Sequence, residues 1–210
     1  LTRFLANKCK AAVAVEQDPK VVGVLREQLR GLANVTVIEG DVLKVALPKF
    51  NKVISIPPYY LSSSLVTCLL ERRVECAVLI LQQEFADRLV AGVGSEDYGW
   101  LTVVACYCAE VELFDVVPKS MFYPQSEVDS VIVRLNPWKA APFEVKDEAF
   151  FRGMVRWLFT QRNKKLGNAL EALIKSTLKA PKEKAEKLSC ALPFGDRRVR
   201  ELSPKDFGAL

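Results

Sequence analysis

The sequence predicts an α/β fold in which an open, mostly parallel sheet is followed by a small helical region. Between residues 11 and 135, short apolar runs rich in β-branched residues alternate with stretches of helical periodicity. That pattern is typical of parallel strands joined by crossover helices. Residues 138–210 have helical periodicity and hold 16 of the 30 Lys and Arg residues but nine of the 25 Asp and Glu residues. We therefore predict a sheet domain over residues 1–137 and a basic helical domain over residues 138–210.

Composition excludes several classes of protein. The chain has 210 residues, 50% of them hydrophobic, and a mean hydropathy of +0.11, which is enough for a real core. No run approaches the roughly 20 apolar residues of a membrane span, and no signal peptide is visible. The six cysteines lack CxxC spacing and there is no histidine, which argues against a zinc site or a histidine-based triad. We expect a monomeric cytoplasmic protein with reduced thiols, no metal and no membrane partner.

The first elements place two acidic residues at strand ends. A helix over residues 1–10 precedes a buried strand at 11–16, a helix through 21–29 and a strand at 35–39. Glu16 ends the earlier strand, where open α/β sheets bind the hydroxyl pair of a ribose; the alternative is a solvated turn carboxylate. Asp41 follows the later strand directly after Gly40. Glu16 is therefore a candidate ligand for a nucleotide-like molecule.

The centre of the chain is a strand over residues 52–56 that stops at two prolines. Pro57 and Pro58 cannot donate backbone hydrogen bonds, and Pro58 keeps Pro57 out of the helical region, so the chain leaves the sheet extended. Residues 62–64 are serines that offer N-cap hydroxyls to a helix through residues 65–70. Tyr59 is thereby placed at the carboxyl edge of the sheet, where ligands of such folds bind. A flat, stackable substrate suits that position.

The remaining sheet elements follow in order. Residues 76–81 form a near-continuous apolar run that predicts a buried strand, and a helix through residue 88 follows it. Residues 96–100 are predicted to be a loop. Residues 101–112 and 127–135 are predicted to be two long strands that pair antiparallel at one edge of the sheet.

The basic region begins with an amphipathic helix over residues 148–161, with Arg152 and Arg156 off its apolar face. Residues 161–165 are predicted to open a second helix. Such a basic region either contacts a polyanion or only solvates a helical face. Residues 182–187 fit the solvated face better, and residues 201–206 predict a short capped helix.

Several short motifs, taken in order over the whole chain, resemble the small-subunit ribosomal RNA adenine dimethyltransferases of the KsgA type. The stretch over residues 122–130 is the most specific, because it resembles the family signature Phe-Tyr-Pro-x-Pro-x-Val-x-Ser, with Ser126 at the second proline position. The other motifs are Gly40-Asp41-Val42-Leu43, Pro57-Pro58-Tyr59, Gln82 with Glu84-Phe85-Ala86, and Asp97-Tyr98-Gly99.

The resemblance implies a Rossmann-like class I methyltransferase sheet and S-adenosylmethionine as cofactor. The cofactor would be bound by Glu16, Gln17, Asp41, Val42 and Ser55. A flipped adenine would be held by a catalytic set consisting of Ile56, Pro57, Pro58, Tyr59 and Phe122. RNA phosphates would be met by Arg152, Arg156, Arg162, Lys164 and Lys165. The alternative for Phe122 and Tyr123 is a pair of core aromatic residues beside a proline turn.

Two features depart from the family pattern. The family has Asn or Asp where this chain has Ile56, which can offer only its backbone carbonyl. No Gly-x-Gly-x-Gly loop occurs, and the strand that precedes that loop in the family would lie between the strands ending at Glu16 and Ile56. We expect the natural protein to have an N-terminal extension that supplies both the missing strand and the glycine loop.

The predicted function is dimethylation of adjacent adenosines near the 3′ end of small-subunit ribosomal RNA, in a pre-30S-like particle during ribosome biogenesis. One alternative within the class is the large-subunit ribosomal RNA adenine methyltransferase of the antibiotic-resistance type. Another is a non-catalytic RNA-binding assembly factor, for which Ile56 is the main support. A plain nucleotide-binding module would explain neither the tyrosines nor the basic region.

Overall fold

The computed structural model describes residues 1–72, 74–179 and 181–210. The chain divides into two compact units, Leu1–Phe50 and Asn51–Leu210. Each unit has its own sheet, and the carboxyl ends of parallel strands in each carry residues predicted for the site.

The first unit is a two-stranded parallel sheet with two helices. Its elements are α1 (Thr2–Ala6), β1 (Ala12–Glu16), α2 (Pro19–Gln28) and β2 (Val35–Glu39). The register sets Ala12 opposite Val35 and Glu16 opposite Glu39, so both strands end at the same level. Asp18 caps α2 by accepting from the backbone N–H of Lys20 at 2.8 Å, with a proline in the first turn.

The second unit begins with a four-stranded mixed sheet. Its elements up to residue 137 are β3 (Lys52–Ser55), α3 (Ser62–Glu71), β4 (Cys76–Gln82), α4 (Gln83–Leu89), α5 (Trp100–Cys108), β5 (Ala109–Val117) and β6 (Ser130–Pro137). The strand order is β3-β4-β6-β5. The β3–β4 pair is parallel, and β6 runs antiparallel to both β4 and β5. Ala77, Leu79 and Leu81 on β4 have no exposed surface, so one face of the central strand is core.

The predicted antiparallel edge pair is confirmed, but the predicted strand over residues 101–112 is wrong for its first eight residues. Those residues lie in α5, and the strand starts at Ala109. The helix buries Leu101, Val103, Val104 and Tyr107 on several sides. A helix that is apolar nearly all round shows no polar face, so its sequence cannot be told from a buried strand by periodicity.

The predicted serine cap of α3 is also wrong. A single 3₁₀ turn at Tyr59–Leu61 leads directly into α3. Leu61 at the N-cap position already has helical angles, φ −90 and ψ −12, and no side chain caps the helix. Because the chain is helical from the residue after Pro58, a hydroxyl at residues 62–64 arrives too late to act as a cap. The Oγ of Ser62 is buried and has no hydrogen-bond partner among the described residues.

Helices complete the second unit. They are α6 (Glu148–Phe159), α7 (Leu166–Leu178), α8 (Lys182–Ala191) and α9 (Pro204–Gly208). Residues 161–165, predicted to open a helix, form the turn before α7. An aromatic core joins these helices to α5 and its preceding loop: Tyr107 lies 5.1 Å from Phe151 and Tyr98 lies 5.6 Å from Phe159, between ring centroids. The proposed division at residues 137 and 138 stays a prediction. Within the described residues, no helix combines the length and apolarity that crossing a membrane requires.

Candidate active site

In the first unit, the loops after β1 and β2 are joined by a backbone hydrogen bond. The N–H of Gly40 donates to the carbonyl oxygen of Glu16 at 2.8 Å. The Glu16 carboxylate folds back on its own loop, with Oε1 accepting from the N–H groups of Gln17 and Asp18 at 2.7 and 2.9 Å. Glu16 is therefore held at the carboxyl edge of the sheet, as predicted from the strand that it ends.

Asp41 is an ionised acceptor at the same edge. Its Oδ1 accepts from the N–H of Leu43 at 2.9 Å, and this bond is the main cause of the lowered pKa of the Asp41 carboxyl. Lys44 lies 3.4 Å from Oδ2 and lowers the pKa further. A hydrogen bond to the charged form favours that form, so Asp41 remains a carboxylate well below neutral pH.

Gly40 brings these two loops together in a way that the sequence motif alone did not explain. Its φ is +141, and a Cβ built at this position would lie 2.4 Å from Cγ1 of Val45. Only glycine takes this conformation without strain and permits the contact. The signal in the sequence was a glycine directly between a strand and an acidic residue.

The acceptors at this edge fit an adenosyl cofactor chemically. Ribose hydroxyls and an adenine amino group are donors, and carboxylate oxygens are the acceptors that suit them. Oε2 of Glu16 has no partner among the described residues, and Oδ2 of Asp41 has only the exposed Lys44. Gln17 is exposed and Val42 half-buried beside them.

In the second unit, β3 ends at the predicted catalytic turn. Ile56 is 51% exposed and Pro57 is buried. Within the described residues, no N–H group donates to the carbonyl oxygen of Ile56 or Pro57. Ser55 is the last residue of β3, and its pairing with Leu79 is regular. Because no bulge intervenes, alternation turns the Ser55 side chain to the face opposite that of Ile56.

The hydroxyl of Tyr59 joins this turn to the second distinctive stretch of the chain. Tyr59 Oη lies 3.0 Å from Ser126 Oγ and 2.8 Å from Ser130 Oγ. Those serines lie 67 and 71 residues further along the chain. The two motifs that the sequence singled out separately are thus one site in the folded unit, a contact that periodicity could not predict.

Phe122 and Tyr123 lie in the segment that Tyr59 contacts. Phe122 is half-buried, and its N–H donates to the carbonyl of Lys119 at 3.3 Å. Tyr123 is 101% exposed, so the interpretation of both residues as core aromatics is wrong for Tyr123. No ring contact joins Phe122 to Tyr59 in the part of the chain that the structure describes.

A cleft of about 440 Å³ opens at the carboxyl end of β4. Gln82, Gln83, Lys119 and Asp129 are among its lining residues. Asp129 closes one side, because its Oδ1 accepts from the N–H of Lys119 at 2.8 Å and its carbonyl accepts from the N–H of Gln83 at 3.1 Å. The volume is within the usual range for a small-molecule site.

The five basic residues predicted to contact RNA do not share one environment. Arg152 pairs with Glu148, and the guanidinium of Arg156 lies 5.2 Å from the ring centroid of Trp100. Arg162 donates to two backbone carbonyls. The remaining pair, Lys164 and Lys165, is exposed, and Lys165 Nζ lies 3.0 Å from Asp196 Oδ1. Among the described residues, no partner is present for the Lys164 ammonium group.

Sequence reasoning missed a second basic segment beside these lysines. Lys165 and Arg198 form an isolated antiparallel bridge. The N–H of Val199 also donates to the carbonyl of Lys164 at 3.1 Å, and that of Arg200 to the carbonyl of Arg162 at 3.1 Å. The cations of residues 197–200 are therefore brought next to those of 162–165. Their Lys and Arg content was the only available signal, because the pairing joins segments more than 30 residues apart.

Carboxylates after two parallel strands in the first unit, and a Pro-Pro-Tyr turn after a parallel strand in the second, are features of one class, the S-adenosylmethionine-dependent methyltransferases of Rossmann-like fold. The family model for ribosomal RNA adenine dimethylases matches residues 1–190. The chain belongs to that family, whose methyl donor is S-adenosylmethionine.

Named relatives agree with this membership. The chain is 40% identical over 210 residues to the Methanosarcina mazei protein named Probable ribosomal RNA small subunit methyltransferase A, covering 100% of the chain and 77% of the relative. A dimethyladenosine transferase structure from Plasmodium falciparum is 27% identical with a TM-score of 0.82, covering 98% of this chain and 84% of that one. The 23S rRNA methyltransferase ErmE is 28% identical with a TM-score of 0.66, covering 98% and 82%.

Proposed function

We propose that this protein dimethylates N6 of adjacent adenosines near the 3′ end of small-subunit ribosomal RNA, in a pre-30S-like particle. The observation that carries the proposal is the joining of the Pro57-Pro58-Tyr59 turn to residues 122–130 through the Tyr59 hydroxyl. In an enzyme acting on an exocyclic amino group, such a turn offers a stacking ring beside backbone acceptors. Membership of the ribosomal RNA adenine dimethylase family supports the substrate class.

In this proposal, the carboxylates of the first unit bind the cofactor. S-adenosylmethionine, when bound, supplies an electrophilic methyl group. Glu16 accepts from the ribose hydroxyls and Asp41 from the adenine amino group, consistent with their positions at the ends of β1 and β2. Gln17 and Val42, which follow these two carboxylates in the chain, would add contacts, and Ser55 stays a predicted cofactor ligand.

The turn after β3 orients the target base. An adenine amino nitrogen is a poor nucleophile because its lone pair is delocalised into the ring. The carbonyls of Ile56 and Pro57, which accept no N–H hydrogen bond from described residues, accept hydrogen bonds from the amino group of the base. Tyr59 and Phe122 flank the base, and Pro58 keeps the turn rigid. Water takes the proton that leaves the nitrogen after transfer, so no side-chain base is required.

The helical region meets the RNA backbone. Of the five basic residues predicted to contact RNA, Arg152, Arg156, Lys164 and Lys165 are assigned phosphate contacts in a domain over residues 138–210. Arg162 is assigned a structural role instead, because its guanidinium donates to the carbonyls of Ser95 and Glu96. The exposed ion pair of Lys165 with Asp196 is weak enough to exchange its carboxylate for a phosphate. We propose that the protein acts as a monomer in the cytoplasm.

The decisive experiment measures methyl transfer from labelled S-adenosylmethionine to immature small ribosomal subunits, using the full natural protein. Label on adjacent adenosines is expected, and Tyr59→Ala should remove it. The matched control is Tyr60→Phe, which alters the neighbouring, 79% exposed tyrosine and should retain full transfer. Tight, salt-sensitive binding of subunits without any label would instead support the assembly factor.

A second candidate is the large-subunit adenine methyltransferase. The likeness to ErmE favours it, although the TM-score of 0.66 is lower than the 0.82 for the dimethyladenosine transferase. Presenting both immature subunits in the same assay separates the two candidates. Label confined to large-subunit RNA would overturn the small-subunit assignment.

A further inference from the structure

We infer that Ser130, Tyr59 and Ser126 form a directed chain of hydroxyl groups that positions the Tyr59 ring for methyl transfer. The kinetic part of this inference rests on the proposed function, whereas the structural part does not. Tyr59 Oη is within hydrogen-bond distance of both serine hydroxyls, at 3.0 Å for Ser126 and 2.8 Å for Ser130. Neither serine is a reacting group, so both are positioning residues.

The single proton on each hydroxyl sets the direction of the hydrogen bonds in this chain of hydroxyl groups. Each hydroxyl has one proton to donate. Ser126 Oγ donates to the carbonyl oxygen of Val128 at 3.0 Å, so it can only accept from Tyr59. Tyr59 therefore donates to Ser126 and accepts from Ser130. The resulting order runs from Ser130 through Tyr59 and Ser126 to the backbone carbonyl of Val128.

Because Ser130 is buried, its hydroxyl depends on the Tyr59 hydroxyl for a hydrogen-bond partner. Ser130 is 0% exposed, and its hydroxyl has no partner other than Tyr59 among the described residues. A buried hydroxyl without a partner is costly. The ring of Tyr59 is thus attached at its far end to β6, in addition to its attachment through the backbone of the turn after β3.

Ser126 stands where the family signature that this segment resembles has its second proline. A proline would fix φ but could not accept from Tyr59. The Ser126 hydroxyl instead makes two hydrogen bonds within its own turn. It donates to the carbonyl oxygen of Val128 at 3.0 Å and lies 3.4 Å from the N–H of Val128, from which it accepts. The same oxygen lies 3.0 Å from Tyr59. In this chain, the conformation of the 126–130 segment is therefore coupled to the orientation of the aromatic ring.

This coupling has a kinetic consequence. A phenylalanine ring would still stack on a base but would lose both attachments at its edge. Base binding should then persist while the reacting nitrogen is aimed less well, and a misplacement of about 1 Å can cost about 100-fold in rate. The loss should fall on kcat and leave KM for RNA unchanged.

Turnover of Tyr59→Phe, Ser126→Ala and the double variant tests the inference. We expect kcat to fall by up to about 100-fold in Tyr59→Phe and less in Ser126→Ala, with unchanged KM. The double variant should be no slower than Tyr59→Phe, because the two changes break the same chain. Tyr60→Phe removes a hydroxyl from the adjacent ring and should have no effect. Additive losses, or a change confined to KM, would contradict the inference.

A measurement that does not depend on activity separates this inference from the proposed function. NMR on protein with isotope-labelled tyrosine can resolve the hydroxyl-bearing ring carbons of the five tyrosines and report the rate at which the Tyr59 hydroxyl proton exchanges with solvent. The rate should rise in Ser126→Ala and stay unchanged in Ser189→Ala, a buried serine whose hydroxyl donates to Glu186 elsewhere. Fast exchange of this proton in the wild-type protein would overturn the hydroxyl chain even if methyl transfer is observed. Slow exchange without methyl transfer would contradict only the proposed function.

Discussion

Arg162 Nη1 donates to the carbonyl oxygen of Glu96 at 2.9 Å. Its Nη2 donates to the carbonyl of Ser95 at 3.1 Å, so one guanidinium holds a loop that is 66 residues away in the chain. Hydrogen bonds from a charged donor are stronger than those between neutral groups. The same side chain cannot hold this loop and contact a phosphate with the same nitrogens.

This arrangement predicts different effects for two neighbouring basic residues. Lys164→Ala should lower the magnitude of the slope of log affinity for RNA against log salt by about 0.7 to 0.9, the contribution of one phosphate contact. Arg162→Ala should instead lower the melting temperature and leave that slope nearly unchanged. Filter-binding titrations at several salt concentrations check both. An equal change of slope in the two variants would mean that Arg162 exchanges its carbonyl partners for phosphate.

Ile56→Asn should raise turnover. The substitution adds a side-chain acceptor beside the target amino group, and one such interaction in a transition state is worth about 100- to 1,000-fold in rate. Affinity for RNA should not change. Ile54→Asn is the matched control, since Ile54 is 46% exposed two residues earlier on β3. Turnover of Ile56→Asn equal to that of the wild-type protein would favour the assembly-factor alternative.

Gly40→Ala should weaken cofactor binding. The new methyl group would lie 2.4 Å from Val45 Cγ1, at a φ of +141. Strain of about 1–3 kcal/mol is expected for such a residue, and it would displace the loop that carries Asp41. Affinity for S-adenosylmethionine should fall on the order of tenfold by calorimetry, since about 1.4 kcal/mol is one decade.

Gly23→Ala provides the comparison for Gly40→Ala. Gly23 lies in α2, and a Cβ there would meet nothing within 4 Å. Alanine should stabilise the helix by about 0.5–1 kcal/mol and leave cofactor affinity unchanged. Equal affinities for the two variants would contradict the role assigned to Gly40.

The cross-strand pair of Glu112 and Arg134 should make the sheet sensitive to acid. Arg134 donates to Glu112 Oε2, as does Asn136 at 3.1 Å, and the bond with Arg134 is the main cause of the lowered pKa of the Glu112 carboxyl. A depressed carboxyl pKa contributes stability above the unfolded-state value, about 4.3, that is lost as pH falls through the folded value.

Melting temperatures measured between pH 7 and pH 3 check this sign. Glu112→Gln should melt below the wild-type protein at pH 7, and the difference should shrink below about pH 4.3. Asp115→Asn on the same strand is exposed and should show no such convergence. A difference that grew on acidification would contradict the assignment.

Local chemistry was sufficient to predict part of the fold and of the candidate site. The end of β1 at Glu16 and the extended departure of the chain at Pro57 follow from alternation and from proline geometry. The antiparallel pairing of the last two strands is as predicted, although they span residues 109–117 and 130–137 and not 101–112 and 127–135. These are properties of contiguous residues.

What the sequence could not predict depends on contacts between distant residues. Burial on several sides hides the period of α5, so its residues were assigned to a strand. Tyr59 and Ser130 were each singled out, but nothing local joins residues 71 positions apart. The internal partners of Arg152 and Arg162 also depend on tertiary structure, which composition does not report.

The aromatic packing around α5 restricts how this protein can be recombined with its relatives. Tyr98 also donates from its buried hydroxyl to the carbonyl oxygen of Leu202 at 2.7 Å, and Val103 shares a core with Phe151 and Leu158. A chimaera that exchanged only the residues after 137 would set a foreign surface against α5. Exchanging the C-terminal helices between family members therefore requires that residues 98–108 be exchanged together with them.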